Sequence, residues 1–451
     1  MKLFTGVMGL ALVALQHVAA QTAPPEAASL PSCASVGVRK EIRTLTAEEW
    51  GAYESAVTQA YEDQWITWFG YLHNSVAKVI HGNSIFFPYH RKFVREYEKI
   101  LQRYDPSVFV PYWNIMVDYR NPSGSPVLGD KFLGGNGDPA ADDCVSTGMA
   151  SSWTVNFPDS HCLRRHFGQG QEMSIWYSME YITNILQTST AYTDLRSSIE
   201  NSIHGIVHLT LGGDMNTMHS PMDPVFWLHH SNVDRLWAQW QAISPDERTY
   251  MYDGMDINNN PATLNDKLTS TNTEVYEVMR LGYGEQCYTY DTIQKANGND
   301  EALSKRSRRP KRSVFSQRGG VLGKRGGPKK CRRPTKCRPK RNEATQAVQK
   351  LPKEALEKYF PDFAESGTYN ELANAMSDLR PDQPMAADCE APAYVSHPPD
   401  ESLRGKMPCA SIFTEKFAYM MMANITQVRE VEKKACDMVK ELNKYGYLSA
   451  Y

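Results

Sequence analysis

Apolar positions recur every three to four residues over several long stretches of this chain, which predicts a mainly helical protein. In "SPMDPVFWLHHSNVDRLWAQW", residues 220–240, Phe226, His230, Val233, Trp237 and Trp240 fall on one strongly apolar face. Asp223 is suited to cap that helix, and Pro224 at its first position gives up an N–H that no helical carbonyl would meet anyway. Adjacent helical side chains point about 100° apart, so His229 and His230 cannot both serve one site, and the buried face selects His230. Asp234, one turn further on, stands where a carboxylate holds the outer nitrogen of a nearby imidazole; the plain alternative is a core histidine satisfied by Asp234. Helical spacing also runs through residues 46–80, 173–211, 345–378 and 412–445. Gly, Pro, Asp and Ser crowd residues 119–162 and predict a long structured loop there. "GYGEQCYTYDT" alternates aromatic and small residues like a short closing strand.

Histidines punctuate these helical patterns. His73, His81 and His90 lie within eighteen residues of "YLHNSVAKVIHGNSIFFPYHRKFVREYEKIL", and His90 shares an apolar face with Phe86, Phe93, Val94, Tyr97 and Leu101. His204 and His208, in "ENSIHGIVHLTLGG", are spaced i and i+4, so both imidazoles leave one side of a helix a turn apart. With His230 they make two groups of three on apolar faces. One buried histidine is unremarkable, but six are hard to satisfy without a shared partner. Imidazole-only coordination suits copper, which binds such sites tightly and exchanges electrons; a zinc hydrolase stays open on ligand type.

Other features set the surroundings. The opening "MKLFTGVMGLALVALQHVAA" has a basic residue, an apolar run and a small-residue end, the pattern of a secretory signal peptide cleaved near Ala20. No other apolar run is long enough to span a bilayer, so no membrane association is expected and the protein should be extracellular. Nine cysteines, an odd number, then face an oxidising compartment where disulfides are expected. "NIT" at Asn424 is the single N-glycosylation sequon and implies surface exposure there. The net charge of -2 hides a segment, Lys305 to Arg341, with 17 Lys or Arg and no acid, leaving 32 basic against 51 acidic residues elsewhere. Such a run is expected to be solvated and disordered. It reads as a linker cut at its dibasic pairs or a stretch wrongly retained in the gene; nucleic acid is disfavoured as a partner, because an exported chain seldom meets it and only Phe315 interrupts the charges.

"HGNSIFFPYHRKFVREYEKIL" and "DPVFWLHHSNVDRLWAQW" resemble the two copper-binding signatures of the tyrosinase and catechol oxidase family, whose centre is a type-3 copper pair. The likeness is strongest to short secreted fungal members and extends to "VRKEIRTLTAEEW", "VPYWNIMVD", the helix around His204, "CYTYD" and "ITQVREVEKKACDMVKELN". It covers most of residues 33–291 and the last fifty or so. The implied organisation is a signal peptide at 1–20, a catalytic domain at 21–291, an unmatched insertion at 292–400 that includes the basic segment, and a helical C-terminal segment at 401–451.

That resemblance implies a mainly α fold in which a four-helix core holds two copper ions, with O2 as co-substrate and small phenols as substrates. His73, His81 and His90 correspond to the ligands of the first copper, and His204, His208 and His230 to those of the second; His229 then supports from behind. His161, His166, His219 and His397 match nothing in the motifs and read as surface or structural residues. Glu200 matches a glutamate that holds an active-site water in relatives; a helix-surface acid is its simpler reading. Gly205 stands where an asparagine often accompanies monophenol hydroxylation, and Thr217 where relatives carry a gating side chain. Gly205 cannot orient a water and a small Thr217 leaves the entrance open, so oxidation of o-diphenols to o-quinones is expected ahead of monophenol hydroxylation. Val79 replaces a cysteine that many relatives crosslink to the second ligand, so no thioether is expected. An oxygen carrier with the same ligands is less expected, because this chain is short and lacks a repeated unit, and a metal-free binding protein is disfavoured by the complete ligand set. The dibasic pairs suggest that cleavage beyond residue 291 raises activity. The physiological phenol and the oligomeric state are not legible.

Overall fold

The computed structural model describes residues 23–168, 172–296, 409–410, 412–413, 415–420 and 423–444. The proposed signal peptide, the basic segment, the 345–378 helical pattern, Cys331, Cys337, Cys389 and His397 lie outside the described residues. Four long helices carry the core: Ala47–Glu62, Trp65–Ile80, Phe86–Tyr104 and Pro224–Ile243. The first starts at a reciprocal cap, with the Glu49 N–H donating to Thr46 Oγ1 and the Thr46 N–H donating to Glu49 Oε2. The last starts as its sequence predicts, with the Val225 N–H donating to the Asp223 side chain and Pro224 in the first turn.

These helices lock through aromatic rings. Trp227 stacks on Tyr97 with centroids 3.8 Å apart, and Phe69 meets Phe93 and Trp227 edge-on at 5.4 and 5.1 Å. Each such side chain taken from water contributes roughly 1.5–3 kcal/mol, and all nine tryptophans are at most 2 % exposed. The helix spacing at 173–211 resolves into three shorter helices, Met179–Thr188, Tyr192–Ile199 and Gly205–Leu211, the last two joined by a π-helical turn at Glu200–His204. The 119–162 loop is as long as expected and contains short strands, Gly137–Asp138 with Cys144–Val145 and Thr154–Val155 with His161–Cys162, tied by a Cys144–Cys162 disulfide.

The closing strand is Tyr288–Tyr290, paired in parallel with Gly37–Arg39 and fastened by a Cys33–Cys287 disulfide. A third disulfide, Cys409–Cys436, holds the C-terminal helix Ile425–Lys444 to the segment before it. Asn424 is exposed, as its sequon requires, and its Oδ1 accepts from the Thr426 and Gln427 N–H groups at the start of that helix.

The strand pair also explains Asp234, whose role differs from the expectation. Its carboxylate does not reach an imidazole. It accepts from Arg91 Nε at 2.5 Å, Tyr288 OH at 2.5 Å, Tyr290 OH at 2.6 Å and Arg39 Nη1 at 3.4 Å, all buried. Those donors fill its acceptor positions and draw the side chain towards the closing strand, away from His230.

Candidate metal centre

Six of the expected histidines converge between the helices, each no more than 2 % exposed. His73 lies on the Trp65–Ile80 helix, but His81 is not on a helical face as its spacing implied: it is the residue just past that helix, in extended conformation. The turn after it needs Gly82, whose φ of 74° a side chain would strain. His90 projects from the Phe86–Tyr104 helix and His230 from Pro224–Ile243. His204 ends the π turn and His208 follows one turn later, their ring centroids 4.8 Å apart, so the shared side that the i, i+4 spacing predicts survives the irregular turn. Single π turns of this kind are frequent at functional sites.

One hydrogen-bonding rule orients five of the six rings. His81, His90 and His204 direct Nδ1 to the carbonyl four residues earlier, on Ala77, Phe86 and Glu200, at 3.0, 2.8 and 3.3 Å. His73 and His208 direct Nδ1 to the Met218 and Met215 carbonyls, each at 2.7 Å. A carbonyl only accepts, so Nδ1 carries the proton and Nε2 keeps its lone pair turned inwards. Burial, reinforced for most of the rings by neighbouring imidazoles, holds all six below the usual histidine pKa, His208 down to about 4.

The inward nitrogens pair with matching geometry. His73 and His90 bring Nε2 atoms to 3.4 Å, and so do His208 and His230. The two groups face each other through the stacked rings of His90 and His230, 4.4 Å apart and 15° from parallel. Phe86 packs on His90 and His204, and Phe226 on His73, His208 and His230, so apolar rings brace both groups.

Comparison with known proteins agrees with this arrangement. Residues 56–243 match the family model "Common central domain of tyrosinase". The tyrosinase ustQ of Aspergillus flavus is 30% identical over 298 residues, 58% of this chain and 81% of that protein. A tyrosinase of Streptomyces glaucescens is 33% identical over 231 residues, 46% of this chain and 84% of its own. The chain belongs to the tyrosinase family. Among solved structures, a polyphenol oxidase variant from Thermothelomyces thermophila is 24% identical and overlaps 56% of this chain and 88% of its own with a TM-score of 0.48.

Family membership implies a dinuclear copper centre and an oxidase activity, and the residues fit the metal. For His73 and His90, both protonated at Nδ1, two lone pairs facing each other at 3.4 Å cannot form a hydrogen bond, whereas two imidazole nitrogens on one ion at about 2.0–2.1 Å and a near-tetrahedral angle stand about 3.3 Å apart. His204 Nε2 is buried with no hydrogen-bond partner, as expected of a ligand atom awaiting its ion.

Distance alone leaves one position ambiguous. The donor atoms of His204, His208 and His229 lie within 4.8 Å of one another, which admits His229 in place of His230. His230 brings its Nε2 to 3.4 Å from that of His208, whereas His229 donates Nε2–H to the His204 carbonyl at 3.1 Å and keeps only Nδ1, buried without a partner, to offer an ion. That bond ties the His229 ring to the backbone of His204.

The other expected residues have partners of their own. Glu200 is buried, with Oε1 accepting from the Gly82 N–H and Oε2 from Arg196 Nη1, each at 2.7 Å. It is a buried anchor for the His81 turn, neither a surface acid nor a free carboxylate. Thr217 closes a tight turn, its Oγ1 donating to the Asp214 carbonyl at 2.7 Å between the Met215 and Met218 carbonyls that aim His208 and His73. Gly205 leaves room for Phe413 of the C-terminal segment: a Cβ there would lie 2.6 Å from that ring. Nothing local in the sequence marks Phe413, which lies more than two hundred residues from the helix it covers.

Proposed function

We propose that this protein is an exported catechol oxidase: two o-diphenols give up four electrons and four protons, and one O2 leaves as two waters. The observation that carries the reading is the clustering of His73, His81 and His90 opposite His204 and His208, with His230 bringing its Nε2 to 3.4 Å from that of His208. In this proposal each triad holds one copper, and the bound pair supplies the two-electron steps by which O2 is reduced. The chain's share is to keep six imidazoles neutral and buried, five of them fixed in tautomer by Nδ1, so that the site is assembled before substrate arrives.

The preference for diphenols rests on what the site lacks. Hydroxylating a monophenol calls for a group to take its proton. Glu200 has both oxygens engaged by Gly82 and Arg196, and Gly205 offers no side chain to orient a water, its Cα being covered by Phe413. A catechol needs less help, since its second hydroxyl is already in place. Tyrosinase activity is the second reading, favoured by the names of the relatives from Aspergillus flavus and Streptomyces glaucescens. Export is supported by three disulfides among the described residues, which persist in oxidising compartments.

Oxygen uptake by the copper-loaded protein tests the proposal, with 4-tert-butylcatechol and 4-tert-butylphenol offered separately and His208→Ala as control. Uptake with the catechol alone is expected. Sustained uptake with the phenol after the catechol product is removed would make the protein a tyrosinase, and uptake unchanged in His208→Ala would refute the proposed site.

A further inference from the structure

A second cluster of metal-ligating side chains lies outside the six-histidine centre. His161, Asp214 and His219 place one donor atom each within 4.8 Å of one another. His161 Nε2 is 2.9 Å and His219 Nε2 3.3 Å from the same oxygen, Asp214 Oδ1. The other oxygen, Oδ2, accepts the Arg164 backbone N–H at 2.7 Å, which fixes the carboxylate's direction. Asp214 is almost fully buried, and both imidazoles keep a narrow solvent-facing edge, 12–13 % of the side chain.

Hydrogen bonding alone does not satisfy this trio. His161 Nδ1 faces the Asp159 carbonyl at 2.7 Å while its Nε2 faces a carboxylate, so both ring nitrogens meet atoms that own no proton. A neutral imidazole carries one N–H. Either a second proton or another cation must stand on the Nε2 side. Two imidazole nitrogens within 3.3 Å of one carboxylate oxygen supply the donor set of a zinc-type site with water in the fourth position.

The position gives such an ion a consequence. Asp214 and His219 flank the turn that contains Met215 and Met218, whose carbonyls orient His208 and His73, one ring from each triad. His161 belongs to the hairpin Thr154–Val155 with His161–Cys162, anchored by the Cys144–Cys162 disulfide. An ion shared by His161, Asp214 and His219 would clamp that turn to a covalently braced hairpin.

We propose that His161, Asp214 and His219 form a third metal site, for a divalent ion of the zinc class, that staples the 213–222 turn behind the dicopper centre. The test dialyses copper-loaded full-length protein against Zn2+ and counts both metals by mass spectrometry, in wild type, His161→Ala and His219→Gln. One zinc per chain is expected in wild type and less than a fifth of that in either variant, with copper content unchanged. Zinc K-edge absorption of the wild type should show two imidazole ligands, and Zn2+ should slow amide exchange across residues 213–222 at least fivefold in wild type only. No zinc uptake by wild type would overturn the proposal. Equal zinc in wild type and both variants would place the ion elsewhere and overturn it too. The absorption spectrum decides independently of whether a variant folds, since it is read on the wild type.

Discussion

Replacing Asp234 by Asn separates two roles that the sequence leaves entangled. The substitution preserves shape and removes the charge from a carboxylate that four buried groups share. Burial opposes that charge, yet the Arg91 and Arg39 guanidiniums hold the carboxyl below its usual range. In Asp234→Asn, Arg39 retains Glu98 at 2.8 Å, whereas Arg91 keeps only neutral acceptors, the Val278 and Met279 carbonyls and Gln241, beneath its stack on Trp237. Removing one partner from a buried ion pair costs about 3–5 kcal/mol, and at roughly 2–3 °C per kcal/mol the melting temperature should fall by roughly 6–15 °C. Copper affinity should be unchanged at 25 °C, because Asp234 does not touch His230. Had the carboxylate oriented that ring, copper affinity would drop about 10–100-fold. Denaturant and thermal unfolding beside copper titration of the folded variant measure both quantities. A tenfold loss of copper affinity with a melting temperature within about 2 °C of wild type would refute the reasoning.

Three further outcomes are expected. His230→Ala should retain about one copper per chain where His229→Ala retains about two, as counted by metal analysis; the reverse would transfer the ligand role to His229. The copper-free protein should lose stability as pH falls below about 6.5, since the folded rings stay neutral while the unfolded chain takes up protons. For His208, held down to about 4 by burial, that amounts to roughly 3 kcal/mol between the two values, with the other buried rings adding in the same direction; urea midpoints at pH 7.5 and 5 check this, and equal midpoints would contradict it. Gly205→Asn should cost about 1–3 kcal/mol by overpacking and raise protease susceptibility of residues 409–444, because its Cβ collides with Phe413; unchanged cleavage would show that the ring yields freely.

What was legible from the sequence follows from how far each contact reaches along the chain. The helices at 46–80 and 224–242, the cap at Asp223 and the i, i+4 pair of His204 and His208 are local patterns, and they stand where their spacing puts them. Asp234 was misread because its partners come from positions 39, 91, 288 and 290, brought together only by the closing strand. His81 was misread because an extended residue just past a helix has the same spacing as one on its face. Phe413 was missed because the glycine that admits it says only that something approaches.

The Nδ1 acceptors carry this distinction into the centre itself. His81, His90 and His204 are oriented by carbonyls four residues earlier, part of the same stretch of backbone and as rigid as the local structure around it. His73 and His208 are oriented by Met218 and Met215, two backbone carbonyls of a turn whose side chains have no part in the bond. No residue type is required at those two positions, so no sequence pattern records them. One ring in each triad therefore depends on the shape of the 213–222 turn, and a change in that turn acts on both halves of the centre together. Thr217 and Asp214, which set that shape, are where substitutions remote from the metal should alter copper retention in both triads at once.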